Sequence, residues 1–364
     1  MKRLLLILLI VPLLGAKAYA EESESTDEIL GVEEVSETLP EPIRELAGPL
    51  RVDGSYDTVG ALERLWNELL SSLTLSFRAG IRESAAVFGI ILLATAAAAF
   101  VEGQKESEYI QIASCASVSC LLADGIGSSI GNAGTALTTL SDYAKAVLPC
   151  IYTVAGTAGA PGSASVRYAA ASFALELMMA LSQRMILPLV YGCLSLSICA
   201  GIYDSPLFRS ILKLGKKLAV LTMSLMTMGF TALLGIVGIV SQSADAAAAR
   251  AAGTVIRFAL PVVGRLMTDA ASSVISAAEL VKNSIGAFGL IAVAAVCLSP
   301  FALFAVRRLL LQLLAAAAEI AAGDRLSKLL NELSSVMGLL LGLIGSYGLM
   351  LFFSIVAAIR TVSG

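Results

Sequence analysis

The stretch from Leu218 to Val240, LAVLTMSLMTMGFTALLGIVGIV, runs for 23 residues without a charge. About 20 such residues suffice for a helix to cross a bilayer. In lipid the backbone must satisfy its own polar groups, which leaves helices and closed barrels. The run recurs in weaker forms along the chain. AAVFGIILLATAAAAFV spans Ala85 to Val101, Gly286 to Val306 is kinked near Pro300, and Ser335 to Ile359 closes the series. Less regular candidates are Tyr109 to Ile130, where Asp124 interrupts, and Ala144 to Gly159, which holds Pro149. GTAGAPGSAS, Gly156 to Ser165, forbids a continued regular helix. Ala169 to Ile202 is long enough for a tight hairpin around Gln183, Arg184 and Pro188, and Leu309 to Ala322 is short enough to be re-entrant. The pattern predicts an all-α, polytopic helical membrane protein with about six to nine crossings. Composition agrees: 57% of the 364 residues are hydrophobic and 15% charged, against about 25% charged in soluble domains.

The segments before the spans differ from them. Lys2 and Arg3, the 11-residue apolar core Leu4 to Leu14, and the small residues of Ala18-Tyr19-Ala20 predict a cleaved signal peptide over residues 1–20. Residues 21–57 carry twelve Asp and Glu against Arg44 and Arg51. This predicts a disordered, extracytoplasmic acidic segment, because too little apolar surface is present to offset the ordering entropy. From 58 to 82, Leu62, Leu65, Trp66, Leu69, Leu73 and Phe77 recur at helix spacing. An amphipathic interfacial helix is expected there, with Trp66 near the headgroups. Residues 83–364 then form the polytopic membrane domain.

Basic residues set the orientation. Arg209, Lys213, Lys216 and Lys217 precede the clearest span, and Arg307 and Arg308 follow the next. The positive-inside bias places both clusters in the cytoplasm. Residues 241–285 are then extracytoplasmic, or re-entrant from that side.

The chemistry is bounded by elimination. The chain contains no His, which removes the commonest general base and metal ligand. Its six Cys, at 115, 120, 150, 193, 199 and 297, form no C-x-x-C pair and sit in apolar segments, where Cys acts as a small hydrophobe. There is no G-x-x-x-x-G-K-[ST] loop, and no hydrolase signature stands out: the G-x-S-x-G spacing occurs only at Gly127 to Gly131, within a Gly-rich stretch. GIGSSIG, Gly125 to Gly131, is Gly-rich, but no strand precedes it. No enzymatic activity, no cofactor, no metal and no nucleic-acid partner is expected.

One stretch resists a simple lipid-facing reading. In ALPVVGRLMTDAASSVISAAELVKNSIG, Arg265, Asp269, Ser272, Ser276, Glu279 and Asn283 step by four or three residues. They form one polar stripe on a predicted amphipathic helix over 261–285, opened by Pro261. Such a helix can lie flat on the membrane surface, line a polar cavity or pore, or dock a partner.

PVVGRLMTDA (Pro261 to Ala270), VISAAELVKN (Val274 to Asn283), the AVLP before Cys150, and the order of signal, lead, spans and long helix resemble the stage III sporulation protein AE family. The resemblance covers most of the mature chain and is strongest from Leu218 onward. It implies a sporulation role, in a channel or secretion-like complex of the mother cell, located in the outer forespore membrane. Implied partners are a cytoplasmic secretion-type ATPase, ring-forming proteins of the intermembrane space, and a forespore membrane partner. The chain would be the membrane platform or conduit, and a homo-oligomer fits that role. A stand-alone secondary transporter and a purely structural scaffold that recruits ring proteins remain open. The first would show two similar halves with broken helices, and no such internal repeat is evident.

Overall fold

The computed structural model describes residues 37, 39–49, 56–101, 104–157, 161–203, 205–259 and 263–359; within these, side chains at 104–105, 157, 161, 163, 238–259 and 263–283 are not described. The proposed signal peptide, residues 1–20, lies outside the described residues.

Every regular element among the described residues is helical. A short α1 (Glu41–Ala47) lies within the acidic lead. It is followed by α2 (Thr58–Ala99), α3 (Gln104–Thr157) and α4 (Pro161–Leu181). A π-helical turn, Ser182–Ile186, joins α4 to α5 (Leu187–Tyr203). Then come α6 (Pro206–Ala259), α7 (Val263–Ala321) and α8 (Asp324–Ile359). Among the described residues, six helical segments are long and apolar enough to cross a membrane, with α4 and α5 counted as one.

The helices are longer and fewer than the hydropathy runs imply. Tyr109 to Ile130 and Ala144 to Gly159 belong to one helix of 54 residues. At about 1.5 Å per residue it is roughly 80 Å long, far more than the roughly 30 Å hydrocarbon core. Pro149 does not break it. The neighbours of Pro149, Val147, Leu148 and Ile151, are buried, so packing on both sides holds the helix across the missing N–H. Ala169 to Ile202 is not a hairpin. The chain passes straight through by way of the π turn, where Gln183, Arg184 and Met185 are exposed. Pro188 lacks the N–H that would bond the Arg184 carbonyl, and a local change of helical register accommodates that gap. Leu309 to Ala322 is not re-entrant, because it continues α7 to Ala321.

α8 is the central helix. Its buried residues, including Leu330, Leu333, Leu339, Leu340, Tyr347 and Ile355, cover most of its circumference, and Asn331, Leu349 and Phe353 share the exposed strip that remains. It packs against α3, α4, α5, α6 and α7, while α2 packs on α3 and α7. α8 runs antiparallel to α7. Gly286 meets Ile359, Gly289 meets Ile355, and Gly338 meets Arg308. At Gly348 a Cβ would stand 2.8 Å from the Cys297 sulfur. Small residues of this kind let membrane helices approach closely.

α2 runs parallel to α7. Tyr56 meets Phe288 edge-on, with ring centroids 5.9 Å apart, and Gly80 meets Leu310. The stretch 58–82 is therefore continuous with Ala85 to Ala99 and lies along α7. Asp57 caps α2 by accepting from the Gly60 N–H at 2.9 Å. α1 clamps the same end. Ala47 is fully buried, Tyr56 donates its hydroxyl to the Ala47 carbonyl, and Arg64 donates to the Leu46 carbonyl at 3.2 Å. Burial pushes the Tyr56 phenol above its ordinary range.

Candidate functional site

The apolar belt of the bundle can be placed from its two most apolar helices. α7 carries no charge from Ser284 to Val306, and α8 carries none from Ser335 to Ile359. Tyr347 is twelve residues from each end of that α8 stretch. α3 crosses the same belt. At one edge Arg307 donates to the Gly125 carbonyl and to the Ser129 hydroxyl. At the other edge Ile151 lies beside Gly286. From 129 to 151 the helix rises roughly 33 Å, close to the hydrocarbon thickness.

Across this depth α3 turns a polar row outward. Asp124, Ser128, Asn132, Thr135, Thr138, Asp142 and Lys145 are all exposed, and their steps of four and three residues keep them on one face. No described residue between Leu121 and Val166 exposes a large apolar side chain. The hydroxyls alone do not decide what this face meets. Thr135 and Thr138 donate back to the Gly131 and Gly134 carbonyls, a bond that also makes Ser and Thr tolerable in lipid. Asn132, Asp142 and Lys145 decide it. On insertion scales an Asp or Lys at the centre of a membrane helix costs about 2.5–3.5 kcal/mol. Asp142 and Lys145 lie 3.8 Å apart, with side chains 55% and 62% exposed, so their pairing leaves much of both charges uncovered.

α4 adds to this face. A pocket of about 80 Å³ brings Lys145, Ser141, Ser172, Glu176, Tyr168 and Tyr347 together. It sits at the level of Tyr347, the middle of the belt. Next to α3, α2 carries a second polar row. Glu63, Asn67, Ser71, Thr74, Arg78 and Arg82 are exposed at helical spacing, beside the exposed apolar Trp66, Leu70, Phe77 and Ile81.

The other side of the bundle is unlike this one. α6 meets α8 where Met223 lies beside Gly342, and Lys216 forms an ion pair with Glu332 just outside the belt. From Leu218 to Val237 it carries no charge, and Leu218, Val220, Leu221, Leu225, Met228 and Ile236 face outward. This is the surface that a lipid-facing helix presents.

Two partly buried ion pairs fix α3 to its neighbours, the first of them at the belt edge. Arg307 of α7 pairs with Glu83 of α2 at 3.0 Å, and its side chain is only 17% exposed. With Gly125 and Ser129 it ties three helices together. Arg325 of α8 pairs with Glu108 of α3 at 3.2 Å. The arginines are the covered partners, 17% and 12% exposed, so removing the acid would leave a covered charge uncompensated. Arg307 is thus an interior tie midway along a long helix as well as a basic marker of the belt edge.

The stripe read from the sequence, Arg265, Asp269, Ser272, Ser276, Glu279 and Asn283, falls on α7, which is helical from Val263. Its side chains lie outside the described residues. The end of the expected 261–285 helix runs directly into the bundle, where Ser284 and Ile285 are buried. The rows on α2 and α3 were not singled out from the sequence. Their signal was present as polar residues at helical spacing, but on α3 it crosses the gap between two apolar runs treated as separate spans.

A family model described as Stage III sporulation protein AE matches residues 56–362. The chain belongs to the stage III sporulation protein AE family. A sporulation-related role follows from that membership. The curated protein of that name from Bacillus subtilis (strain 168) is 24% identical over 173 residues, 48% of this chain and 43% of that protein. The match thus spans less than half the length of that relative. No solved structure matches.

Proposed function

We propose that this family member is a non-enzymatic, integral membrane component of a sporulation channel complex, acting as membrane platform or conduit between mother cell and forespore. One observation carries the reading. A bundle whose outward face holds Asn132, Asp142, Lys145 and Glu176 within the belt, the last three around its middle, is built to meet something other than lipid on that side. An isolated transporter would turn such residues inward, around a site of its own. The reading places the chain in the outer forespore membrane with the partners named above: a secretion-type ATPase, ring-forming proteins and a forespore membrane protein. It retains a cleaved signal peptide at residues 1–20 and puts residues 241–285 on the extracytoplasmic side. The stripe from Arg265 to Asn283 is a further partner-facing or cavity-facing surface in this scheme.

The test is affinity purification of the full chain from sporulating cells. Co-purification of a secretion-type ATPase and ring proteins is the expected result. Recovery of the chain without them, together with normal sporulation of a strain that lacks it, would overturn the reading. For the stripe, Asp269→Asn with Glu279→Gln should impair sporulation while the protein still accumulates in the membrane.

A further inference from the structure

The two polar rows match each other in a way that one chain does not use. α2 and α3 can be compared in depth through α7. Near the Phe288 end, α2 carries Glu63 and α3 carries Lys145. Near Arg307, α2 carries Arg78 and Arg82, while α3 carries Asp124. Near Arg307 the charges on the two rows are opposite in sign, and near Phe288 Glu63 matches Lys145, which shares its turn of α3 with Asp142. Between these depths lie uncharged partners for hydrogen bonds: Asn67, Ser71 and Thr74 on α2, and Asn132, Thr135 and Thr138 on α3. Yet Glu63, Arg78, Arg82, Asp124 and Lys145 are all exposed. Both rows point away from their own bundle.

We infer that the outward row of α2 in one copy of this chain docks on the outward row of α3 in the next. The contact pairs Glu63 with Lys145 and the Arg78–Arg82 turn with Asp124. It also lays the apolar row of Trp66, Leu70 and Phe77 along the edge of the neighbour. Several arguments favour a second copy as the occupant. Opposite charge at two matched depths is the complementarity an interface requires. Within the belt a charge left facing lipid is penalised, so the pairing of Glu63 with Lys145 gains more between copies than at an aqueous surface. The contact joins two different patches of the same molecule. It is therefore heterologous, and repeated copies close into a ring when the rotation permits. A ring deepens the conduit reading, on which it rests, because α8 is packed at the centre of the bundle among the described residues.

The experiment uses two differently tagged copies of the full chain, both free of native Cys, expressed together in membranes. One carries Ser71→Cys and the other Thr135→Cys, so that only a contact between copies can join the tags by a disulfide. The expected result is a doubly tagged dimer for the 71 and 135 pair, and for 63 with 145. The mismatched pair of 63 with 124, and 71 with Leu225→Cys on α6, should give at least tenfold less. In the 71 and 135 background, Glu63→Lys should lower the yield severalfold, and adding Lys145→Glu to the other copy should restore it. No cross-link at the matched pairs would overturn the inference. So would equal yield at matched and mismatched pairs, or capture of a different protein by the α3 cysteine. The readout is self-contact alone. Copies that cross-link but bring no sporulation proteins would sink the proposed function and leave this contact standing, and the converse result would sink only the contact.

Discussion

α3 and α6 cross the same belt, and both leave one side uncovered by the bundle. α6 fills that side with Leu221, Leu225 and Met228, whereas α3 fills it with Asn132, Thr135, Asp142 and Lys145. Equal exposure thus conceals unlike surroundings. In water both surfaces would be ordinary, since apolar atoms make up much of any protein surface. In lipid only the first is stable as it stands. The difference teaches that exposure in a membrane bundle must be judged by polarity at depth: an outward polar row marks contact with protein or water.

Breaking the anchor of α3 should have the largest effect. Arg307→Ala leaves Glu83, 40% exposed, without its cation and frees the Gly125 and Ser129 acceptors, at a cost of about 3 kcal/mol for the charged hydrogen bonds together. Sharply reduced accumulation in the membrane is expected. Arg307→Lys should recover part of it, because charge is kept while the forked geometry is lost.

A charge placed on each face tests the comparison itself. Leu225→Lys on α6 should cost roughly 2.5–3.5 kcal/mol, the price of a charge facing hydrocarbon. Thr135→Lys on α3 should cost about 1 kcal/mol or less, because that face already accommodates charges. Membrane-extracted yield and thermal midpoint in detergent would measure both. Equal losses would remove the distinction between the faces.

The smallest expected effect lies at the head of α2. Tyr56→Phe removes the hydrogen bond to the Ala47 carbonyl, worth about 1 kcal/mol. It should loosen α1, read as faster proteolysis near residue 48, without changing membrane insertion. The raised phenol pKa gives this contact a pH signature. The unfolded phenol loses its proton first, so the contribution is complete below the ordinary phenol range, near pH 10, and falls as pH rises above it. The Phe variant should lose that dependence.

The sequence made the helical class and the membrane location legible through runs such as Leu218 to Val240, because charge-free stretches of that length have few other uses. It also exposed the family through Pro261 to Asn283. Helix continuity was less legible. Pro149, Pro188 and the Gly-rich stretch from Gly125 to Gly131 read as interruptions, whereas tertiary packing carries the helix through them. The polar row on α3 stayed hidden for the same reason. Its period emerges only once 104–157 is known to be one helix, and α2 was similarly divided between a surface helix and a span. Pairings such as Arg307 with Glu83, more than two hundred residues apart, have no local signal at all.

Spin labels at residue 135 on α3 and residue 225 on α6, in the otherwise Cys-free full chain in lipid bilayers, test the central claim most directly. Collision with molecular oxygen, which concentrates in the hydrocarbon, reports contact with lipid. High oxygen accessibility at 225 and several-fold lower accessibility at 135 is the expected result. Equally high accessibility at both would mean that Asn132, Asp142 and Lys145 face lipid after all, and would contradict the assignment of α3 to a protein or water contact.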